Sequence, residues 1–145
     1  MSKKEYRRYN VVTKEIRPWG SFEILHEEKI CKVKKIIVKA GCRLSYQSHQ
    51  FRQEQWTVIK GALLVVLDDE HHIVCEGESI HIPRFAKHRA WNKLDKDCEF
   101  IEVQTGTYFG EDDIIRIEDD YGRLEDEHLR DHDIKGGIIN SYEKK

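Results

Sequence analysis

Apolar and polar residues alternate with a period of two in short runs along the chain: GSFEIL from Gly20, CKVKKIIVKA from Cys31, QEQWTVIKG from Gln53, ALLVVLDDE from Ala62, HHIVCEG from His71, ESIHIP from Glu78, KHRAWN from Lys87 and CEFIEVQTG from Cys98. Side chains two apart share one face of a strand, so each run reads as a strand with one face buried. Turn residues separate the runs at short, regular intervals, which predicts an antiparallel sandwich or barrel and not an α/β sheet. LDDEHH reads as a hairpin connection, and Pro83 ends the strand before it because proline cannot donate to a central ladder.

After Gly106 the alternation gives way to YFGEDDIIRIEDDYGRLEDEHLRDHDIKGG, charged with scattered apolar anchors at Ile114, Ile115 and Ile117. A short helix or an extended arm on the barrel is expected there, then a helix near Leu124 to Asp133. Asp113 or Glu118 is placed to cap a helix or pair with Arg116. The chain has 145 residues, the size of one domain. It divides into an N-terminal arm (1–16), a barrel domain (17–123) and an acidic tail (124–145).

The net charge of -2 hides a gradient, with 12 acidic and 6 basic residues from Glu111 onward against 19 basic and 15 acidic before it. The first part suits an anionic ligand. No aromatic and basic stripe suggests nucleic acid. MSKKEYRRYN lacks an apolar signal region and no run approaches the roughly 20 apolar residues of a membrane span, so a cytoplasmic protein without a membrane partner is expected. Cys31, Cys42, Cys75 and Cys98 stand singly, without a C-x-x-C pair, and read as reduced, mostly buried thiols.

The candidate chemistry lies in GCRLSYQSHQFRQEQWTVIKG, Gly41 to Gly61. Gln47 and His49 share a face of one strand, and Glu54 and Trp56 share a face of the next. A tight turn around QFR brings the two strands together, and His88 joins them if the sheet closes. Two imidazoles, one carboxylate and one amide oxygen, with an open position, suit a divalent ion such as zinc, cobalt, manganese or iron(II), with zinc favoured. His71 and His72 read as solvated hairpin residues, His81 as facing either way, and His128 and His132 as part of a solvated face.

The spacing Gly41-x5-Gln47-x-His49-x4-Glu54-x6-Gly61 resembles the first motif of the cupins, with Gln in the first histidine slot. Gly77-x5-Pro83-x4-His88-x3-Asn92 resembles the second. Within that superfamily, RPWGSFEIL, CKVKKIIVKAGCRLS, RQEQW, IHIP, KHR and IEVQTGTYFGEDDIIRIEDDYGR resemble the type II mannose-6-phosphate isomerase domain, the C-terminal part of bifunctional enzymes with mannose-1-phosphate guanylyltransferase.

The resemblance implies an all-β, single-domain jelly-roll cupin. It implies a metal-dependent isomerase that interconverts mannose 6-phosphate and fructose 6-phosphate through an enediolate. The metal set is Gln47, His49, Glu54 and His88. Arg52, Lys34 and Arg89 are the candidate catalytic residues, and Arg17, Lys87, Gln104 and Trp56 the candidate substrate contacts, with Arg116 also in the pool of cations for the phosphate. A homodimer is expected, since pairing with a second copy hides an edge strand. The chain departs from the family at Gln50, Phe51 and Gln55, where histidines are usual, and at Phe85, where glycine is usual. Those departures keep open a cupin acting on another phosphosugar or nucleotide-sugar, or a noncatalytic sugar-binding cupin.

Overall fold

A computed structural model describes residues 13–124. Eleven strands are present among them: β1 (Thr13–Arg17), β2 (Gly20–Glu27), β3 (Cys31–Val38), β4 (Tyr46–Ser48), β5 (Arg52–Lys60), β6 (Ala62–Leu67), β7 (Glu70–Cys75), β8 (Ser79–Ile82), β9 (His88–Trp91), β10 (Cys98–Gly106) and β11 (Ile115–Glu118). They form a six-stranded sheet in the order β1-β2-β3-β10-β5-β8 and a five-stranded sheet in the order β11-β4-β9-β6-β7. Neighbouring strands run antiparallel.

Alternation accounts for the core. β3 turns Lys32, Lys34, Ile36 and Val38 inward, β5 turns Arg52, Glu54, Trp56 and Val58 inward, and β10 turns Cys98, Phe100, Glu102 and Gln104 inward. Register then sorts these residues by depth. Phe100 lies opposite Ile36 and Val58, Glu102 opposite Lys34 and Trp56, and Gln104 opposite Lys32 and Glu54. One end of the inner face is therefore apolar, joined to Leu63, Val65 and Ala90 of the other sheet. The other end is charged. One continuous wall carries both the hydrophobic core and one side of a polar recess.

Turn chemistry fixes the frame. Asp68 and Asp69, with φ of 46° and 68°, make the tight β6–β7 hairpin that the sequence indicated. Pro83 follows β8 directly, on the edge of its sheet. The buried Asn92 amide donates to the carbonyls of Val38 (2.9 Å) and Lys96 (2.7 Å), and its oxygen accepts from the amide of Leu94 (3.0 Å).

Two expectations need correction. β4 and β5 do not pair: β4 pairs with β9 and β11, so the turn at residues 49–51 carries the chain from one sheet to the other. Of the two forms expected after Gly106, the segment takes the extended one, as strand β11 along β4, where it gives the backbone groups of β4 a ladder partner. Of the four cysteines only Cys98 is buried, while Cys31 and Cys42 are partly so and Cys75 is exposed; all four are free thiols. The helix expected near residues 124–133 falls outside the described residues apart from Leu124.

Two backbone positions test this frame. A Cβ on Gly106 would lie 2.2 Å from the carbonyl oxygen of Phe51, in the turn just before β5. Phe85 has φ of 69° and is 66% exposed, a left-handed conformation that costs a bulky residue about 1–2 kcal/mol. Gly106→Ala is expected to destabilise the fold by at least about 2 kcal/mol and Phe85→Gly to stabilise it by about 1 kcal/mol. Urea unfolding midpoints of the two variants check both signs.

Candidate metal centre

His49 leaves β4 just before the crossing between sheets, Glu54 sits two residues into β5, and His88 begins β9. All three are buried, with 4%, 2% and 2% exposure. His49 Nε2 lies 3.1 Å from Glu54 Oε1 and His88 Nε2 lies 3.9 Å from Glu54 Oε2. The two rings are tilted against each other with centroids 4.9 Å apart.

The backbone selects the tautomers. His49 Nδ1 is 2.6 Å from the carbonyl oxygen of Asp113, and His88 Nδ1 is 2.9 Å from that of Ala86. A carbonyl can only accept, so each Nδ1 carries a hydrogen, and the Nε2 on the side of Glu54 is the nitrogen left to meet a metal. Two imidazole nitrogens and a carboxylate facing one point are the donor set of a divalent ion.

Gln47 extends the set. It pairs across the strands with His88, and its Nε2 donates to Ser45 Oγ (3.1 Å) and to the Ser45 carbonyl (3.3 Å), so the amide oxygen is the end turned away from Ser45. Ligand atoms of His49, Glu54 and His88 lie within 4.8 Å of one another, a spacing that fits one ion, and Gln47 lines the same cavity.

The surroundings hold these groups ionised or neutral as a metal requires. Burial by itself pushes the Glu54 carboxyl up, but the charge and hydrogen bond of His49, with Glu102 and His88, outweigh it and hold Glu54 well below the usual carboxylate range. Burial lowers His88 to about 4, which keeps its Nε2 unprotonated at neutral pH. Burial, then the charge of Glu54, push Glu102 well above the usual range. Trp56 Nε1 donates to both carboxylates, at 2.8 Å to Glu54 and 3.0 Å to Glu102. Arg52 Nε lies 3.1 Å from Glu54 Oε1 and donates to it.

Nine of the twelve residues nominated from the sequence line one cavity: Gln47, His49, Glu54, His88, Arg52, Lys34, Arg17, Trp56 and Arg116. The other three lie outside its lining. Arg89 follows His88 on β9 and so points to the opposite face, where Nε donates to the Leu44 carbonyl (3.0 Å) and Nη1 to Glu118 (3.2 Å). Lys87 has the same parity and reaches Asp69 at 3.0 Å. Gln104 is fully buried behind the cavity, donating to Glu102 at 2.8 Å. His81 is exposed, with Nδ1 3.2 Å from Gln55 Oε1.

Sequence reading missed Glu102, Glu111 and Asp113. Glu102 was visible in principle, as a carboxylate on the inward face of CEFIEVQTG. Glu111 lines the cavity from outside the barrel wall. Asp113 caps no helix: its carboxylate accepts from the amides of Gln50 and Phe51, each at 3.0 Å, and ties down the crossing that presents His49. Glu118 pairs with Arg89. A second group of possible ligands among the described residues, His26, Glu28 and Cys31, lies at the β2–β3 hairpin, with His26 and Glu28 exposed.

The family described as "Mannose-6-phosphate isomerase C-terminal" matches residues 4–119. The chain is 44% identical over 114 residues to the alginate biosynthesis protein AlgA of Pseudomonas aeruginosa, covering 79% of this chain and 24% of that protein. It is 38% identical over 122 residues to a mannose-1-phosphate guanylyltransferase of Salmonella montevideo, covering 83% and 26%. The chain thus spans about a quarter of the length of these curated relatives. Among solved structures, a cupin-superfamily sugar phosphate isomerase of Silicibacter pomeroyi aligns with a TM-score of 0.59 at 19% identity, covering 70% of this chain and 79% of that one. KdgF of Halomonas sp. aligns with a TM-score of 0.63 at 17% identity, covering 72% and 92%. At these identities the two structures bear on the fold, which is the all-β cupin jelly roll.

The chain is expected to bind one divalent ion. Glu54→Gln is expected to weaken zinc binding by more than about 100-fold, and Asp113→Asn, which loosens only the support of His49, by about tenfold. Calorimetric titration of zinc into each variant checks the order.

Proposed function

The chain belongs to the mannose-6-phosphate isomerase C-terminal family, and on that premise we propose that it is a metal-dependent aldose-ketose isomerase interconverting mannose 6-phosphate and fructose 6-phosphate. The observation that carries this reading is the facing of His49 Nε2, His88 Nε2 and Glu54 at the floor of a cavity whose remaining charged lining is largely cationic: Arg17, Lys34, Arg52, Arg116 and Arg123 against Glu102 and Glu111. An anionic sugar fits such a recess.

His49, Glu54, His88 and Gln47 would hold a divalent ion, zinc being favoured by the two imidazoles, and it would supply a Lewis acid to the open-chain sugar. The protein's own groups do the rest. Arg52 is permanently charged and 5% exposed, and it places positive charge beside the reacting carbons where the enediolate develops. Trp56 is committed to Glu54 and Glu102 and so positions the carboxylates. The proton that moves between C1 and C2 needs a group able to take it and return it. Outside the metal set and the arginines, the titratable lining consists of Lys34, Glu102 and Glu111.

The departures from the family pattern support the isomerase over a changed substrate. Gln50, Phe51, Gln55 and Phe85 are all exposed, and the cavity is lined without them. They lie outside the lining of the recess.

Proton NMR of mannose 6-phosphate in D2O tests the reading. Deuterium at C2 and appearance of the ketose are expected together, both lost on chelation and restored by zinc. Arg52→Gln is expected to lower kcat by about 100-fold while the metal content stays above that of Glu54→Gln. A metal-loaded protein that exchanges no deuterium would exclude the isomerase.

A further inference from the structure

β3 turns two consecutive inward positions, Lys32 and Lys34, into the barrel, with 6% and 4% exposure. Lysines are almost never so buried unless paired. The wall supplies only part of their counter-charge: Glu27 of β2 lies 3.8 Å from Lys32 Nζ, while Glu102, opposite Lys34, is drawn into bonds with Trp56 and Gln104. Nearer oxygens come from the turn that follows β10. Lys32 Nζ donates to the Phe109 carbonyl at 3.4 Å, Arg52 Nη1 to the Gly110 carbonyl at 3.3 Å, and Lys34 Nζ to the Glu111 carboxylate. The same carboxylate lies 3.8 Å from Lys32 Nζ.

Three consecutive residues thus present three oxygens to three cations. A phosphoryl group presents three oxygens in the same manner. Burial pushes the Glu111 carboxyl up, but Lys34 and then Arg52 and Lys32 more than offset it, so the group stays ionised in this seat. Yet the Glu111 side chain is 48% exposed, on a turn outside the barrel wall, and Asp113 anchors the chain just beyond it. Arg17 completes the cationic side: its guanidinium lies 5.0 Å, and Lys34 Nζ 4.1 Å, from the centroid of the same Phe22 ring, and all three line the cavity.

We propose that Glu111 occupies the seat of the ligand's phosphoryl group on Lys34, Lys32 and Arg52, so that binding of a phosphorylated ligand and release of Glu111 are one exchange. This rests on the reading of the cavity as a site for a phosphorylated sugar. The occupied seat lowers the apparent affinity by the fraction of molecules in which it is open. It also selects against unphosphorylated sugars, which cannot displace a carboxylate from three cations.

The test is calorimetric titration of inorganic phosphate into the full chain, wild type and Glu111→Gln, with chelator present so that no metal captures the phosphate. Glu111→Gln is expected to bind phosphate about tenfold tighter, the effect of removing a closed state populated about nine times in ten. Lys34→Gln is expected to lose that binding. Equal or weaker binding by Glu111→Gln would overturn the proposal. Should that variant not fold, hydrogen exchange of the wild type gives the answer: phosphate is expected to speed exchange of the amides at residues 109–112, and binding that leaves them unchanged overturns it. Neither readout uses turnover, so a protein without isomerase activity can still pass, and an active isomerase can still fail.

Discussion

Taking a carboxylate out of water costs several kcal/mol even after the protein relaxes around it, and the cost is met only where cations and donors surround it. Glu54 is 2% exposed and ionised, and the site is arranged about it. Arg52 and Trp56, two residues away on either side, share its face of β5 and donate to its two oxygens. His49 and His88 approach from the other sheet. Because a strand repeats every two residues, placing Glu54 inward places Arg52 and Trp56 inward as well. One residue's orientation therefore commits a cation, an indole donor and a ligand to the same recess.

The two sheets divide the labour. The six-stranded sheet carries the charges, ranked by depth so that apolar Phe100, Val58 and Val38 lie at one end and Glu54, Gln104 and Lys32 at the other. The five-stranded sheet carries Gln47, His49 and His88. The group of His49, Glu54 and His88 needs both. The crossing at residues 49–51 joins them, and its amides are held by Asp113 from the segment after the barrel, while the Asp113 carbonyl fixes the tautomer of His49. The terminal segment is thus part of the site. The orientation of His49 depends on a residue 64 positions away.

That division also explains what the sequence disclosed. Period-two alternation exposed the long strands, and the motif spacing of Gln47, His49, Glu54 and His88 pointed to residues that the structure brings to one cavity. Strand parity should have removed Arg89 and Lys87, which flank His88 and must point away from the face it occupies. The same parity should have promoted Glu102. β4, three residues long, is too short to show a period, so its pairing with β9 and β11 was hidden and the turn before β5 passed for a hairpin. Glu111 and Asp113 could not be found by any local rule. In the sequence they belong to an acidic run that looks like solvated surface, and only the return of that run onto the barrel gives them partners.

The central claim is that the buried histidines and Glu54 hold a divalent ion. X-ray absorption at the zinc edge of the zinc-loaded protein addresses it directly. Nitrogen and oxygen ligands at about 2.0–2.1 Å, with scattering from two imidazole rings, are the predicted result. A sulfur ligand at about 2.3 Å would contradict it, and would place the ion with Cys31 at the exposed hairpin instead.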